Sequence, residues 1–314
     1  LPSSLVGSEM CIRDSDYAVT KLTLHPSYIS KGHFPKKLLR EMGGRSIGSK
    51  GTAVKPDKWT RKGEPEESPT TSIFVAGKRS QLSEFSSRLT SFNDDTPGAD
   101  DLRRIWSIET VEPQDKIKQG IGVERDGYFE AGLQLIPGTS SDFIKKSFCS
   151  YAASQGFEVV EDLSITVSNI WFVPLAGAKE RLESLACHSF VRVLRPIPQL
   201  RAFRPLVRAS GITSKVILPN EPPVANDVHV AILDGGLPEK SGLSPWVNNY
   251  VKSDPSANDC DGGTEHGLGV TSAFLFGPLK PNQEAAKPFS YVDHHRVLDS
   301  FIGSEDPYEL YRTL

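Results

Sequence analysis

The sequence predicts an α/β fold class, with a ferredoxin-like α+β N-terminal part followed by the first part of a parallel α/β sheet domain. Two observations carry this. Residues 128–197 alternate strand and helix patterns in the order βαββαβ. Further on, VHVAILDGGL (228–237) is an apolar run without alternation that stops on an aspartate and two glycines, the pattern of a strand entering a sheet covered on both faces. A chain of 314 residues suits two or three domains.

The elements of the βαββαβ segment follow from period and punctuation. YFEAGLQLI is a strand candidate, and SSDFIKKSFCSYAASQG is a helix with serine capping at residue 140 or 141 and Gly156 at its end. FEVVEDLSIT and NIWFVPLA read as strands. AKERLESLACHSF carries Leu182, Leu185 and Ala186 on one helical face, and VRVLRPIP closes the segment as a strand. The earlier part repeats that order more loosely, through AVTKLTLHP, PKKLLREMG, TSIFVAG, SQLSEFSSRLTSF and LRRIWSIETVEP. A missing strand would lie near GTAVKP.

These readings divide the chain into an N-terminal α+β domain of unknown role (16–115), the βαββαβ domain (128–205), a linker (206–226) and a C-terminal domain (227–314). The five prolines in 198–226 and the absence of a sustained period there mark the linker. SLVGSEMCIRDS (4–15) resembles translated sequencing-adapter sequence, so residues 1–15 are set aside as non-native. DPYELYRTL (306–314) reads as the opening turns of an amphipathic helix, and the chain is expected to be incomplete at both ends.

Composition narrows the classes of function. Hydrophobic residues at 38% and charged residues at 24% describe a globular chain able to bury a core. A net charge of −3 gives no reason to expect nucleic acid or an acidic membrane as partner. Residues 31–62 hold ten Lys or Arg and one Glu; without interleaved aromatics on strands, a solvated face is the plain account and nucleic-acid binding is not expected. No apolar run approaches a membrane span. Cys11, Cys149, Cys187 and Cys260 are scattered without metal-ligand spacing, which predicts reduced thiols, a cytoplasmic setting, and neither metal nor cofactor.

The chemistry concentrates in two stretches. Asp234 closes the apolar strand, where open α/β sheets place their ligands, and Gly235 and Gly236 turn the backbone at once. By itself, an Asp-Gly pair is a common turn. The second stretch is DGGTEHGLGVTSAFLFG (261–277), in which His266 opens a helix of small residues (Gly267, Gly269, Ser272, Ala273) alternating with bulky ones. A lone histidine at a helix start is usually an ordinary surface residue. The two stretches are informative together: the histidine follows the aspartate by 32 residues.

VAILDGG resembles the aspartate motif of subtilisin-like serine proteases, and EHGLGVTSAFLFG resembles their histidine motif, in the same order and at similar spacing. The resemblance covers residues 227–314 and identifies the chain as a divergent, intracellular bacterial type of that family. It implies a subtilisin-like catalytic domain in which Asp234 orients His266, and His266 acts as general base for a serine. That serine would lie roughly 160 residues beyond the histidine, outside this chain, so residues 1–314 alone are expected to be inactive and Ser300 and Ser304 are not candidates. Peptide or protein substrates are implied, with an AAA-type ATPase as a partner in some relatives. The βαββαβ segment occupies the place of the family's prodomain. Gly235, Leu268 and Gly269 depart from the motifs, which usually have Thr or Ser, Thr and a second His there.

Two alternatives stay open. The chain could keep the fold as a catalytically dead binding module. SYVDHHRVLD (290–299) also resembles the Asp-His-His motif of metal-dependent phosphoesterases through Asp293, His294 and His295; on the protease reading it is the next strand, with its histidines half exposed.

Overall fold

The structure, a computed structural model, describes residues 16–59, 63–119, 126–199, 216–300 and 306–313. Residues 1–15, the 206–215 part of the 206–226 linker and Ser304 lie outside them. The protein is an α+β chain of helices and mostly antiparallel sheets, in two compact units, Leu1–Pro198 and Gln199–Leu314.

In the first unit, β1 (Tyr17–Leu24), α1 (Lys36–Glu41), β2 (Gly44–Val54), β3 (Ser68–Lys78), α2 (Arg79–Arg88), α3 (Ala99–Leu102) and β4 (Ile105–Thr110) come first. Their strands form an antiparallel sheet in the order β2-β3-β1-β4. β2 fills the position near GTAVKP but begins ten residues before Val54, at Gly44. Of its side chains only Ile47 is buried, so its own sequence carries little strand signal. It is held by pairing to β3, which buries Ile73, Val75 and Ala76.

The second sheet of this unit follows α4 (Pro113–Lys116). It contains β5 (Tyr128–Gln134), α5 (Asp142–Ser154), β6 (Glu158–Val159), β7 (Ile165–Val167), β8 (Ile170–Ala176), α6 (Leu182–Ala186) and β9 (Val191–Pro196). The strand order is β6-β8-β5-β9, with β7 also pairing β8. α5 presents Ile144, Phe148 and Ala152 to the core at four-residue intervals, one face of an α-helix. Gly156 ends it in the left-handed region, at φ +79°.

Three expectations need correction here. FEVVEDLSIT is not one strand: Glu161–Leu163 form a 3-10 turn between β6 and β7. The helix expected over AKERLESLACHSF is shorter, a 3-10 turn leading into α6. Ser141 holds the N-cap position of α5 without a side-chain bond; instead the Asp142 amide donates to Ser140 Oγ at 3.4 Å.

The second unit contains β10 (His229–Asp234), β11 (Val247–Lys252), α7 (Gly263–Phe276), β12 (Tyr291–Arg296) and α8 (Glu309–Thr313). β10, β12 and β11 pair in parallel in that order. A small core gathers Ile232, Leu243, Trp246, Leu275, Phe276 and Val292, and Trp246 meets Phe276 edge to face at 5.1 Å. β10 is not the doubly covered central strand that its composition predicts. Among the described residues it lies at the sheet edge, with His229, Ala231 and Leu233 exposed. An apolar run reports what a strand can bury, not what covers it. No helix among the described residues is long and apolar enough to cross a membrane.

Candidate active site

In a parallel sheet all strands end on the same side, so the C-termini of β10 and β12 bring Asp234 level with Arg296. Asp234 is buried, and its Oδ1 accepts a 2.6 Å hydrogen bond from the Gly235 amide. The same oxygen lies 2.7 Å from Nδ1 of His266 in the first turn of α7. The carboxyl side chain is 8% exposed and the imidazole 34%. One member is thus fixed inside, while the other reaches solvent. With Nδ1 donating to the carboxylate, Nε2 is the acceptor that a substrate or nucleophile would meet.

The glycines explain how the strand end and the helix start come so close. A Cβ on Gly267 would stand 2.0 Å from the Gly236 carbonyl oxygen, and one on Gly235 would stand 2.6 Å from Gly263 Cα. Both are backbone collisions, which no side-chain rotation relieves. Gly236 itself turns at φ +103°, a conformation costly for other residues. Gly269, another of the small residues of this helix, has open space where its Cβ would be, so smallness there is not what close approach requires.

β12 supports the pair from below. His294 is fully buried rather than half exposed, which overturns the sequence expectation. Its Nδ1 shares a 3.1 Å hydrogen bond with Thr271 Oγ1 of α7, while its Nε2 has no hydrogen-bond partner among the described residues. Burial pushes the imidazole below its ordinary value, against the pull of the Asp234 charge and together with the neighbouring His295. Arg296, 1% exposed, donates to the carbonyls of Asp254 (2.6 Å) and Ala257 (2.8 Å) and pairs with Asp259 at 2.5 Å. These contacts bind the loop that delivers α7 to the end of the sheet. The Asp234 carbonyl also accepts from the amides of Val297 (2.9 Å) and Leu298 (3.2 Å). Arg296 was missed as a site residue in the sequence, and His294 was read there only as part of a metal motif, not as a neighbour of Asp234. The available signal was polar side chains inside a strand that otherwise reads as core.

The phosphoesterase-like residues do not converge. β12 alternates, so His294 faces the core while Asp293 and His295 face the other way. Asp293 accepts from Asn248 at 2.8 Å and lies 3.5 Å from His229. Among the described residues no group of three or more His, Cys, Asp or Glu is placed to hold a metal ion. Among the described residues Cys149, Cys187 and Cys260 are in no disulfide. Ser300 Oγ accepts from the Asn258 amide at 3.2 Å.

No family model matches the chain, and no curated protein matches it. Among solved structures, the chain is similar to one described as an unknown protein from Galdieria sulphuraria. That likeness is 13% identical, covers 54% of this chain and 90% of the other, and has a TM-score of 0.16; a likeness this weak carries no argument about function.

Proposed function

We propose that residues 227–314 form the first part of a subtilisin-like catalytic domain, in which Asp234 and His266 are two members of an Asp-His-Ser triad cleaving peptide bonds. The observation that carries the reading is the 2.7 Å contact between a buried carboxylate at a strand end and a solvent-reaching imidazole at a helix start. Asp234 fixes the ring and stabilises its protonated form. His266 takes the proton from a serine hydroxyl through Nε2 and returns it to the leaving amine. Among the described residues His266 makes no hydrogen bond to a serine hydroxyl, and the reading takes its nucleophile from beyond residue 314.

The strand order β6-β8-β5-β9, with α5 and α6 as crossovers, supports a ferredoxin-like reading of 128–205 in the prodomain place. The sheet β2-β3-β1-β4 supports the looser copy before it. The substrate class is peptide or protein, the setting cytoplasmic, and an AAA-type ATPase the proposed partner.

The test is labelling by a fluorophosphonate probe of protein extended past residue 314. His266→Ala is expected to slow labelling about a thousandfold or more, with Asp234→Asn close behind. Equal labelling of the parent and His266→Ala overturns the proposal.

A further inference from the structure

The two sheets of the first unit enclose a cleft of about 510 Å³ for which the hydrolytic reading has no use. Its walls are tied to each other. Gln134 on β5 donates to the Ile47 carbonyl on β2. Arg192 on β9 donates to Gln134 Oε1 at 2.7 Å and to the Ser49 carbonyl at 3.1 Å. The three strands therefore hold the cleft in one shape, and the volume falls within the range of small-molecule sites.

The lining has a strong charge bias. Lys21, Lys50, Lys118 and Arg192 line it, against one carboxylate, that of Asp115; Lys116 also lines it, but its buried ammonium donates to the Ala186 and His188 carbonyls. Lys21 is offset by Glu109 at 2.8 Å. Arg192 is held by neutral oxygens, with its guanidinium 5.3 Å from the centre of the Phe74 ring. Lys118 donates to the Asp115 carbonyl, and among the described residues none of Lys118, Arg192 and Lys50 lies within ion-pair distance of a carboxylate. Desolvation lowers Arg192 from its ordinary value, as for a cation that lacks a counter-charge. A part-buried guanidinium with neutral partners is costly unless an anion completes it. Its planar fork suits phosphate or carboxylate, and Phe74 and Phe190 supply apolar wall for the body of a ligand.

We propose that this cleft binds a multivalent oxyanion on a small organic body, of the size of a nucleotide or a polycarboxylic acid. Lys50 belongs to the basic run at 31–62 that sequence alone assigned to a solvated face; its place on the cleft gives part of that run a role. The proposal is independent of the protease reading.

Isothermal titration of the full chain with adenosine 5′-diphosphate, pyrophosphate and citrate tests it. Saturable binding of at least one probe is expected, weakened several-fold when salt rises from about 50 to about 200 mM. Lys50→Gln combined with Lys118→Gln, both exposed, is expected to weaken binding about tenfold or more with an unchanged melting temperature. Arg192→Lys keeps the charge but loses the fork, and is expected to weaken binding as well. Tighter binding of the diphosphate assigns the site to phosphate esters, and tighter binding of citrate assigns it to polycarboxylates. No saturable binding of any probe at millimolar concentration, or unchanged binding by the Lys50/Lys118 double variant, overturns the proposal.

Discussion

The sheets of the first unit and the sheet of the second bury their residues differently. In the first unit, β5 is enclosed along nearly its whole length, and Phe129, Ala131 and Leu133 join Ile144, Phe148 and Trp171 in a core of twenty buried residues. Among the described residues, the core cluster of the second unit gathers only six buried residues. It leaves Leu233, Phe274 and Phe289 between 46% and 67% exposed. Parallel strands are ordinarily covered on both faces, and here the apolar side chains that would be covered meet solvent. Packing therefore dominates the first unit. In the second, a few polar and backbone contacts around Asp234 and Arg296 carry more of the order, and the candidate site is built from those contacts.

The largest expected effect lies in the first unit. Phe148→Ala empties a fully buried position and is expected to cost about 3–5 kcal/mol in denaturant unfolding; a cost below about 1 kcal/mol would show that this core is not close-packed. Next comes Gly267→Ala, which sets a methyl against the Gly236 carbonyl. About 1–3 kcal/mol of destabilisation is expected, with the His266–Asp234 hydrogen bond disrupted, as read from the downfield imidazole proton resonance. Retention of that resonance at parental stability would break the argument that glycine contact builds the site.

A smaller effect depends on pH. His294 is held below its ordinary value in the fold, so below about pH 6.5 the unfolded chain binds a proton that the folded chain resists. Its contribution is complete above that pH and is lost as pH falls toward the folded value. Asp234, His295 and other groups add slopes of their own, so the measurement is the difference between the parent and His294→Val: the variant's stability is expected to fall less between pH 7.5 and 5.5 (about two units, spanning the free-histidine value). Parallel curves would remove His294 from the account. Leu233→Ser, at an exposed position, is expected to change stability by less than about 0.5 kcal/mol; a cost of several kcal/mol would mean that the open face of β10 is covered in solution.

Much of this was legible in residue order. The α5 and α7 patterns announce helices because four-residue spacing and small–bulky alternation are local properties. Asp234 and His266 could be singled out only together, because their two stretches stand in the order and at the spacing that resemble the protease motifs. β2 was only half legible, since a strand with one buried residue draws its pairing from its neighbour. β11 was not singled out at all: VNNYVK has no apolar run, and its pairing to β12 comes from position in the sheet. The buried places of His294 and Arg296 beside Asp234 were hidden for a different reason. A polar residue within a strand gives no sign of which face it occupies until the register is fixed.

The sequence by itself determined the secondary-structure grammar, the absence of a long apolar span, and the two motif residues whose chemistry is worth testing. Those depend on neighbours a few positions away. Tertiary structure alone decided that His266 meets Asp234 at 2.7 Å, that Arg296 anchors the loop between β11 and α7, and that β10 has an open face. It also decided that cations far apart in the chain share one cleft. The physical reason is the same in each case: close approach depends on what two distant backbones allow, and at Gly235, Gly236 and Gly267 they allow it only because there is no side chain in the way.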